Sequence, residues 1–147
     1  MSFIRFWKDR AGISFIETAL LIPGMLLLCC GTMDFARVVY AGIEIAGAAR
    51  AGVQYGALTP GNSGDTTGMV NAALADATDL GSTVTASAKN FCTCSGASAP
   101  CDTPCADGST PDGYVSVTAN YTFTPLIPYP GVPQTVSLSR TAQMRAQ

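Results

Sequence analysis

Residues 13–33 read ISFIETALLIPGMLLLCCGTM, an apolar run in which Glu17 is the one charged residue. The hydrocarbon core of a bilayer requires roughly 20 consecutive apolar helical residues, so this run is long enough to cross a membrane. The preceding flank, residues 1–12, is net positive, and positive charge beside a span tends to stay in the cytoplasm. The sequence therefore predicts one transmembrane helix at residues 13–33, with a cytoplasmic N-terminus.

A cleaved secretory signal is the alternative interpretation of this segment. The apolar part of a signal peptide is usually about 7–15 residues long, which is shorter than this run. The far end of the run, Cys29-Cys30-Gly31-Thr32, also lacks the small-residue pattern of a signal cleavage site. A membrane anchor is therefore preferred, with Cys29 and Cys30 as free thiols.

Glu17 is not explained by a plain membrane anchor. An acidic residue inside a span costs about 2–3 kcal/mol on insertion scales, and such residues usually have a partner. Glu17 follows Ile13 by four residues, so both lie on one helical face. Cleavage after Gly12 would give Ile13 a positive amine that can neutralise Glu17 of the same or a neighbouring subunit. Alternatively, Glu17 lies in the headgroup layer and is merely solvated.

The order of these residues resembles the start of TadE-like proteins of tight-adherence (Flp-type) pilus systems. Gly12, Ile13 and Glu17, at the fifth mature position, are similar to a prepilin peptidase site, and Pro23 follows the Glu by six residues. Further similar elements occur along the chain: Asp34-Phe35-Ala36-Arg37, Tyr40, Ala48-Ala49-Arg50, Tyr55, Phe123-Thr-Pro-Leu-Ile-Pro and Ala142-Gln-Met-Arg145. Ala36 departs from the pattern, since the family usually has Gly there.

The resemblance implies a precursor that is processed and then assembled. Residues 1–12 would be a leader that prepilin peptidase removes after Gly12. Glu17 and Pro23 would serve in assembly, with the helix kinked or locally melted at Pro23. The implied protein is a minor pilin or pseudopilin that supports surface adhesion. Its implied partners are prepilin peptidase, other pilin or pseudopilin subunits, the pilus assembly machinery and the bacterial inner membrane.

The helix is predicted to continue beyond the membrane over residues 34–57, which contain no proline. Asp34 and Arg37 are placed to pair on the aqueous side. Apolar residues at spacings of three or four predict one buried face, made of Val39, Ile43, Ala46, Ala49 and Val53. A helical glycine costs roughly 0.5–1 kcal/mol relative to alanine, so repeated glycines predict close packing, above all on the sheet. They are Gly42, Gly47, Gly52 and Gly56.

Residues 34–147 are predicted to form a pilin-like domain on the periplasmic or extracellular side. Beyond the long helix, a short helix is predicted at residues 68–80, with Asp65, Thr66 or Thr67 as its cap. Alternation of apolar and polar residues predicts strands near residues 83–91, 114–124 and 135–145. The predicted fold class is α+β: a long N-terminal transmembrane helix on a small antiparallel β-sheet, with one short extra helix.

Four cysteines lie between the first two predicted strands, at Cys92, Cys94, Cys101 and Cys105. Their spacing is not the paired C-x2-C of common zinc sites, and the chain has no histidine. Disulfides persist outside the cytoplasm, so two disulfides are predicted. Of the three possible pairings, the one that joins Cys92 to Cys94 is disfavoured, because neighbours in a strand point to opposite faces.

Composition disfavours several functional classes. The net charge is −2, and no basic region is present to bind nucleic acid. Because histidine is absent, Ser-His and Cys-His nucleophile pairs are impossible within the chain. No enzymatic activity, cofactor or metal site is predicted. The alternative function is that of an uncleaved single-pass membrane protein with a disulfide-stabilised binding domain outside the cytoplasm, which would need neither Gly12 nor Glu17.

Overall fold

One helix dominates the structure, a computed structural model that describes the backbone of residues 10–128, 131 and 133–146, with side chains from Ser14 onward. Helix α1 (Arg10–Ala57) has 48 residues and continues without a break through Pro23. At about 1.5 Å per residue it is ~72 Å long. The resemblance implies a kink or local melting at Pro23. The helix is not melted there, because proline removes one hydrogen bond but holds φ near its helical value, and the kink stays a prediction. Residues 1–9 of the predicted leader lie outside the described residues.

Short helical elements follow α1. They are α2 (Pro60–Ser63), α3 (Thr66–Asp76) and a 3-10 helix (Thr78–Thr83). Sequence analysis predicted one helix at residues 68–80 and a turn before it. Asp65, one of the three predicted caps, is the N-cap of α3, which begins at Thr66, two residues before the predicted start. The predicted end is wrong, because Ala77 leaves the α conformation, at φ −99° and ψ 28°.

Asp65 caps α3 with its carboxylate. Its Oδ1 accepts a hydrogen bond from the backbone N–H of Gly68 at 2.8 Å, and its Oδ2 accepts one from the Tyr55 hydroxyl at 3.0 Å. These bonds, the Gly68 bond first, lower the pKa of Asp65. A carboxyl whose pKa is lowered by folding stabilises the fold at neutral pH. This contribution is lost as the pH falls through the folded-state pKa.

The sheet is antiparallel with strand order β2-β1-β3-β4. Its strands are β1 (Thr85–Cys94), β2 (Ala97–Ala99), β3 (Asp112–Phe123) and β4 (Val136–Arg145). Three of them correspond to the predicted strands, with ends shifted by up to three residues. Sequence analysis missed β2, which pairs with the end of β1 through a turn at Ser95 and Gly96, both with positive φ.

The core lies between α1 and one face of the sheet, and α3 closes it on one side. Buried side chains come from α1 (Ile45), from α3 (Met69) and from β3 (Val115 and Val117). The apolar alternation of β3 places these valines and Ala119 towards the helix, as the sequence pattern indicated. The α+β fold class predicted from the sequence is confirmed.

Glycines bring α1 close to its neighbours. A Cβ added to Gly52 would lie 2.9 Å from the backbone oxygen of Met69 and 3.0 Å from Cγ1 of Val117. A Cβ added to Gly56 would overlap the Sδ of Met69. The predicted close packing at these two glycines is therefore confirmed, and its partners are α3 and β3.

The predicted buried face of α1 is only partly correct. Ala49 and Val53 are buried, but Val39 is 46% exposed and Ile43 is 64% exposed. Ile45, with Ala41 and Ala48, faces the core instead. Side chains on this face are mostly small, so the sheet can approach α1 most closely there, and the larger residues at positions 39 and 43 fall outside the contact.

Gly52→Ala is expected to destabilise the outer domain by about 1–3 kcal/mol, because the added methyl group has no room beside Met69 and Val117. Gly42→Ala is the matched control on the same helix, since its Cβ would meet Arg140 at an ordinary 3.7 Å. The control should be neutral, or stabilising by about 0.5–1 kcal/mol. Thermal unfolding of the detergent-solubilised protein, followed by circular dichroism, measures both. Equal stability of the two variants would contradict the packing argument.

Candidate functional site: an exposed apolar helix and its anchorage

The first half of α1 is an uncovered apolar surface. Every residue from Ser14 to Cys29 is exposed, and Phe15 and Leu20 each reach 77%. Within the described residues, the helix Ser14–Ala57 is long enough to cross a membrane and contains a stretch that is apolar enough to do so. An apolar surface of this size requires a membrane or a protein partner. One N-terminal apolar helix of this kind indicates a single-pass membrane protein.

The residues assigned to processing and assembly lie along this exposed half. Gly12 and Ile13 are in the first turn of α1, although their side chains are outside the described set. Glu17 is exposed one turn later and forms no salt bridge with any described residue. Thr18 donates its hydroxyl to the backbone oxygen of Ser14 at 2.9 Å, so that hydroxyl is satisfied within the helix. Within the described residues, the Glu17 carboxylate therefore has no partner of opposite charge.

Asp34 anchors the helix to the outer domain at the end of the apolar run. Its side chain is buried, and its Oδ1 accepts a hydrogen bond from Nη1 of Arg37 at 2.9 Å. The backbone N–H of Leu126 donates to both carboxylate oxygens, at 3.2 and 3.0 Å. Leu126 lies in the connector between β3 and β4, 92 positions along the chain. One carboxylate therefore joins the apolar half of α1 to the sheet.

Arg37 completes this junction. Its guanidinium lies 5.1 Å from the ring centroid of Phe123, the last residue of β3. The predicted pairing of Asp34 with Arg37 is confirmed. The connector also covers Asp34, which the sequence did not predict. The sequence resemblance included residues 123–128, but it did not predict a contact of this stretch with Asp34. Helical spacing reveals pairs within α1, and it carries no signal for a contact with Leu126.

Three carboxylates, Glu44, Asp76 and Asp79, lie along the seam between α1 and the α3/3-10 segment; we call this set the acidic edge. Tyr40 donates its hydroxyl to Oδ2 of Asp79 at 3.2 Å. The negative charge of Glu44 is the largest cause that raises the pKa of Tyr40, and the bond to Asp79 raises it further. A Cβ added to Gly47 would lie 3.0 Å from Oδ2 of Asp76. The acidic edge thus lies directly against α1.

The four distal cysteines form two disulfides that fasten the loop beyond β2 to β1. Cys92 is bonded to Cys101 and Cys94 to Cys105, which selects one of the three possible pairings. All four sulfurs are used in these bonds, so they do not act as thiolate metal ligands. The bridges lie at one end of the sheet, away from Asp34 and the apolar half of α1.

Asp34→Ala is expected to speed amide hydrogen exchange at Leu126 and to destabilise the outer domain by about 1.5–3 kcal/mol, because a buried charge-assisted hydrogen bond is lost. Asp34→Asn should fall between the wild type and Asp34→Ala, since an amide oxygen can still accept one bond. Asp102→Asn, at an exposed loop carboxylate, is the control and should change neither quantity. Unchanged exchange at Leu126 in Asp34→Ala would rule out the anchorage.

Peptide mapping of the non-reduced protein should give only the Cys92–Cys101 and Cys94–Cys105 pairs. Replacing both Cys94 and Cys105 by serine should lower stability by about 2–3 kcal/mol, because a short closed loop is released in the unfolded state. The core between α1 and β3 should stay intact, as measured by exchange at Val115 and Val117. Any other pairing, or loss of protection at these valines, would contradict this assignment.

Comparison with known proteins gives one match. The family model described as TadE-like protein matches residues 12–54. Searches of curated proteins and of solved structures gave no match. The matched segment includes the proposed processing residues Gly12 and Ile13, the assembly residues Glu17 and Pro23, and the Asp34 anchorage. It covers almost all of α1, and it confirms the resemblance drawn from the sequence: the N-terminal helix of this chain is similar to that of TadE-like proteins.

Proposed function

We propose that the chain is a minor pilin or pseudopilin subunit of a tight-adherence (Flp-type) pilus and supports surface adhesion. The observation that carries this proposal is the TadE-like match over a helix that is exposed and apolar in its first half and packed on a sheet in its second. A helix built in this way can wait in a membrane and then pack with other subunit helices without refolding its outer domain.

In this proposal, prepilin peptidase removes residues 1–12. The new Ile13 amine lies one helical turn, or ~6 Å of rise, from Glu17, so it can neutralise that carboxylate or the one on a neighbouring subunit. Neutralisation removes the cost of holding a bare carboxylate among lipids. Glu17 would thereby favour helix–helix assembly over separate anchoring.

The proposed location is the bacterial inner membrane, with a cytoplasmic N-terminus and the domain of residues 34–147 in the periplasm or outside the cell. The net positive flank favours this orientation, and so do the two disulfides, which persist in oxidising compartments. The proposed partners are prepilin peptidase, other pilin or pseudopilin subunits and the assembly machinery. The role is to initiate, cap or decorate the filament, because the major subunits of such pili are much smaller.

Mass spectrometry of the membrane-extracted protein tests the processing step. We expect a chain that begins at Ile13 in the wild-type strain and an intact precursor in a strain without the peptidase. Gly12→Val should leave the precursor uncut in both strains. A precursor that retains Met1 in every strain would overturn the proposal and favour the uncleaved membrane protein with a binding domain.

Glu17→Gln tests the assembly role, because it keeps the shape of the side chain and removes its charge. Cleavage should be retained, whereas the number of pili per cell should fall about tenfold or more, as expected when loss of a buried charge pair costs upwards of ~1.4 kcal/mol. Thr18→Val is the neighbouring control, since the Thr18 hydroxyl bonds only within its own helix. Normal piliation in Glu17→Gln would remove Glu17 from the mechanism.

A further inference from the structure

We propose that the outer domain binds a second copy of this chain, with a basic groove on one side of α1 receiving the acidic edge of the neighbouring copy. The inference rests on the proposed function in one respect, since copies anchored by the same span stand side by side at the same depth. In all other respects, the partner is inferred from the charge and shape of two surfaces on this chain.

The groove lies between α1 and β4, the last strand of the described sheet. Its volume is about 480 Å³. Val39, Ile43 and Ala46 line it from α1, and Leu138 lines it from β4. Arg50 and Arg140 bring positive charge to this apolar surface, and we call the whole the basic groove.

The apolar part of the groove repeats with the spacing of a buried helix face, yet the fold leaves it open. Val39 and Ile43 remain 46% and 64% exposed while the opposite side of α1 is buried. Both residues lie beyond the predicted span at residues 13–33, so lipid does not cover them under the proposed topology. Exposed apolar surface next to charged groups is typical of a protein contact.

The two arginines of the groove have no acidic partner within the described chain. Neither forms a salt bridge with a described residue, and the Nη1 of Arg140 donates to the neutral backbone oxygen of Ser139 at 3.0 Å. Glu44, Asp76 and Asp79 of the acidic edge likewise form no salt bridge in the described part of the chain. Opposite charges are thus left unpaired on two sides of one helix.

The positions of these surfaces suit contact between copies. Glu44 lies between Val39 and Arg50 in the sequence of α1, so both surfaces occupy the same level of the helix. Each copy offers a groove and an edge made of different residues, so the contact is head-to-tail and can repeat along a row of subunits. Like-charged alternatives, groove to groove or edge to edge, are repulsive.

Charge reversal in the full-length protein tests this contact. Two copies with different affinity tags are expressed in one strain, and the membranes are solubilised in mild detergent at low salt. Capture of one tag should recover the other copy. Arg50→Glu with Arg140→Glu in both copies should lower that recovery about fivefold or more, and so should Glu44→Lys with Asp79→Lys in both copies, because each change places like charges in contact. Lys89→Glu, a reversal on the exposed face of β1 opposite the helix, should have no effect.

A mixed pair gives the decisive comparison. One copy with the reversed groove and one with the reversed edge should regain most of the wild-type recovery, because an acidic groove then meets a basic edge. The proposal is overturned if the wild-type copies do not recover each other, if the reversed groove leaves recovery unchanged, or if the mixed pair stays apart.

Intact disulfides and thermal unfolding verify that each variant folds. Arg50→Gln with Arg140→Gln, a milder variant, should lower recovery partially and replaces any reversal that misfolds.

The same membranes separate this inference from the proposed function. The N-terminal mass of each variant reports cleavage, which charge reversal on the outer domain should not alter. Cleaved copies that fail to associate overturn the contact and leave the processing claim intact. Uncleaved copies that associate through the groove overturn the processing claim and support the contact.

Discussion

The close approach of the α1 backbone to β3 is the constraint on which the rest of the structure depends. Gly52 leaves no space for a methyl group between the helix, Met69 and Val117. This contact selects the side of α1 that faces the sheet, and so it also selects the sides that remain open. The open sides carry the basic groove and the acidic edge, whose positions follow from the packing.

Asp34 provides a second contact between α1 and the outer domain, at the end of the apolar run. The sheet covers only the second half of α1, so the apolar half would otherwise be joined to the outer domain by helix alone. The bond from the Leu126 N–H to the buried carboxylate fixes the β3–β4 connector at the point where the apolar run ends. The apolar half of α1 is thereby fastened to the connector between β3 and β4. A buried carboxylate is costly without such donors, which gives the contact its specificity.

Much of this architecture could be predicted from the sequence, and the failures have physical causes. Length and hydropathy predicted the apolar helix, and alternation predicted β3 with its buried valines. Spacing failed for Val39 and Ile43, because packing distance favoured the smaller residues on another face of α1. It also missed the contact between Asp34 and Leu126, since periodicity carries no signal for pairs so far apart in the chain. The cysteine pairing required the β1–β2 hairpin, and β2 is too short to leave a pattern.

The central claim is that the exposed half of α1 lies in a membrane while the outer domain lies in water. The native thiols Cys29 and Cys30 allow a direct measurement, because both are free and Cys29 is exposed on the surface of the helix. In intact membranes, a water-soluble maleimide should fail to label them, whereas it should label Ala75→Cys on the exposed face of α3 once the outer membrane is permeabilised. After detergent solubilisation, Cys29 should label as well. Labelling of Cys29 in intact membranes at the rate of Ala75→Cys would contradict the account.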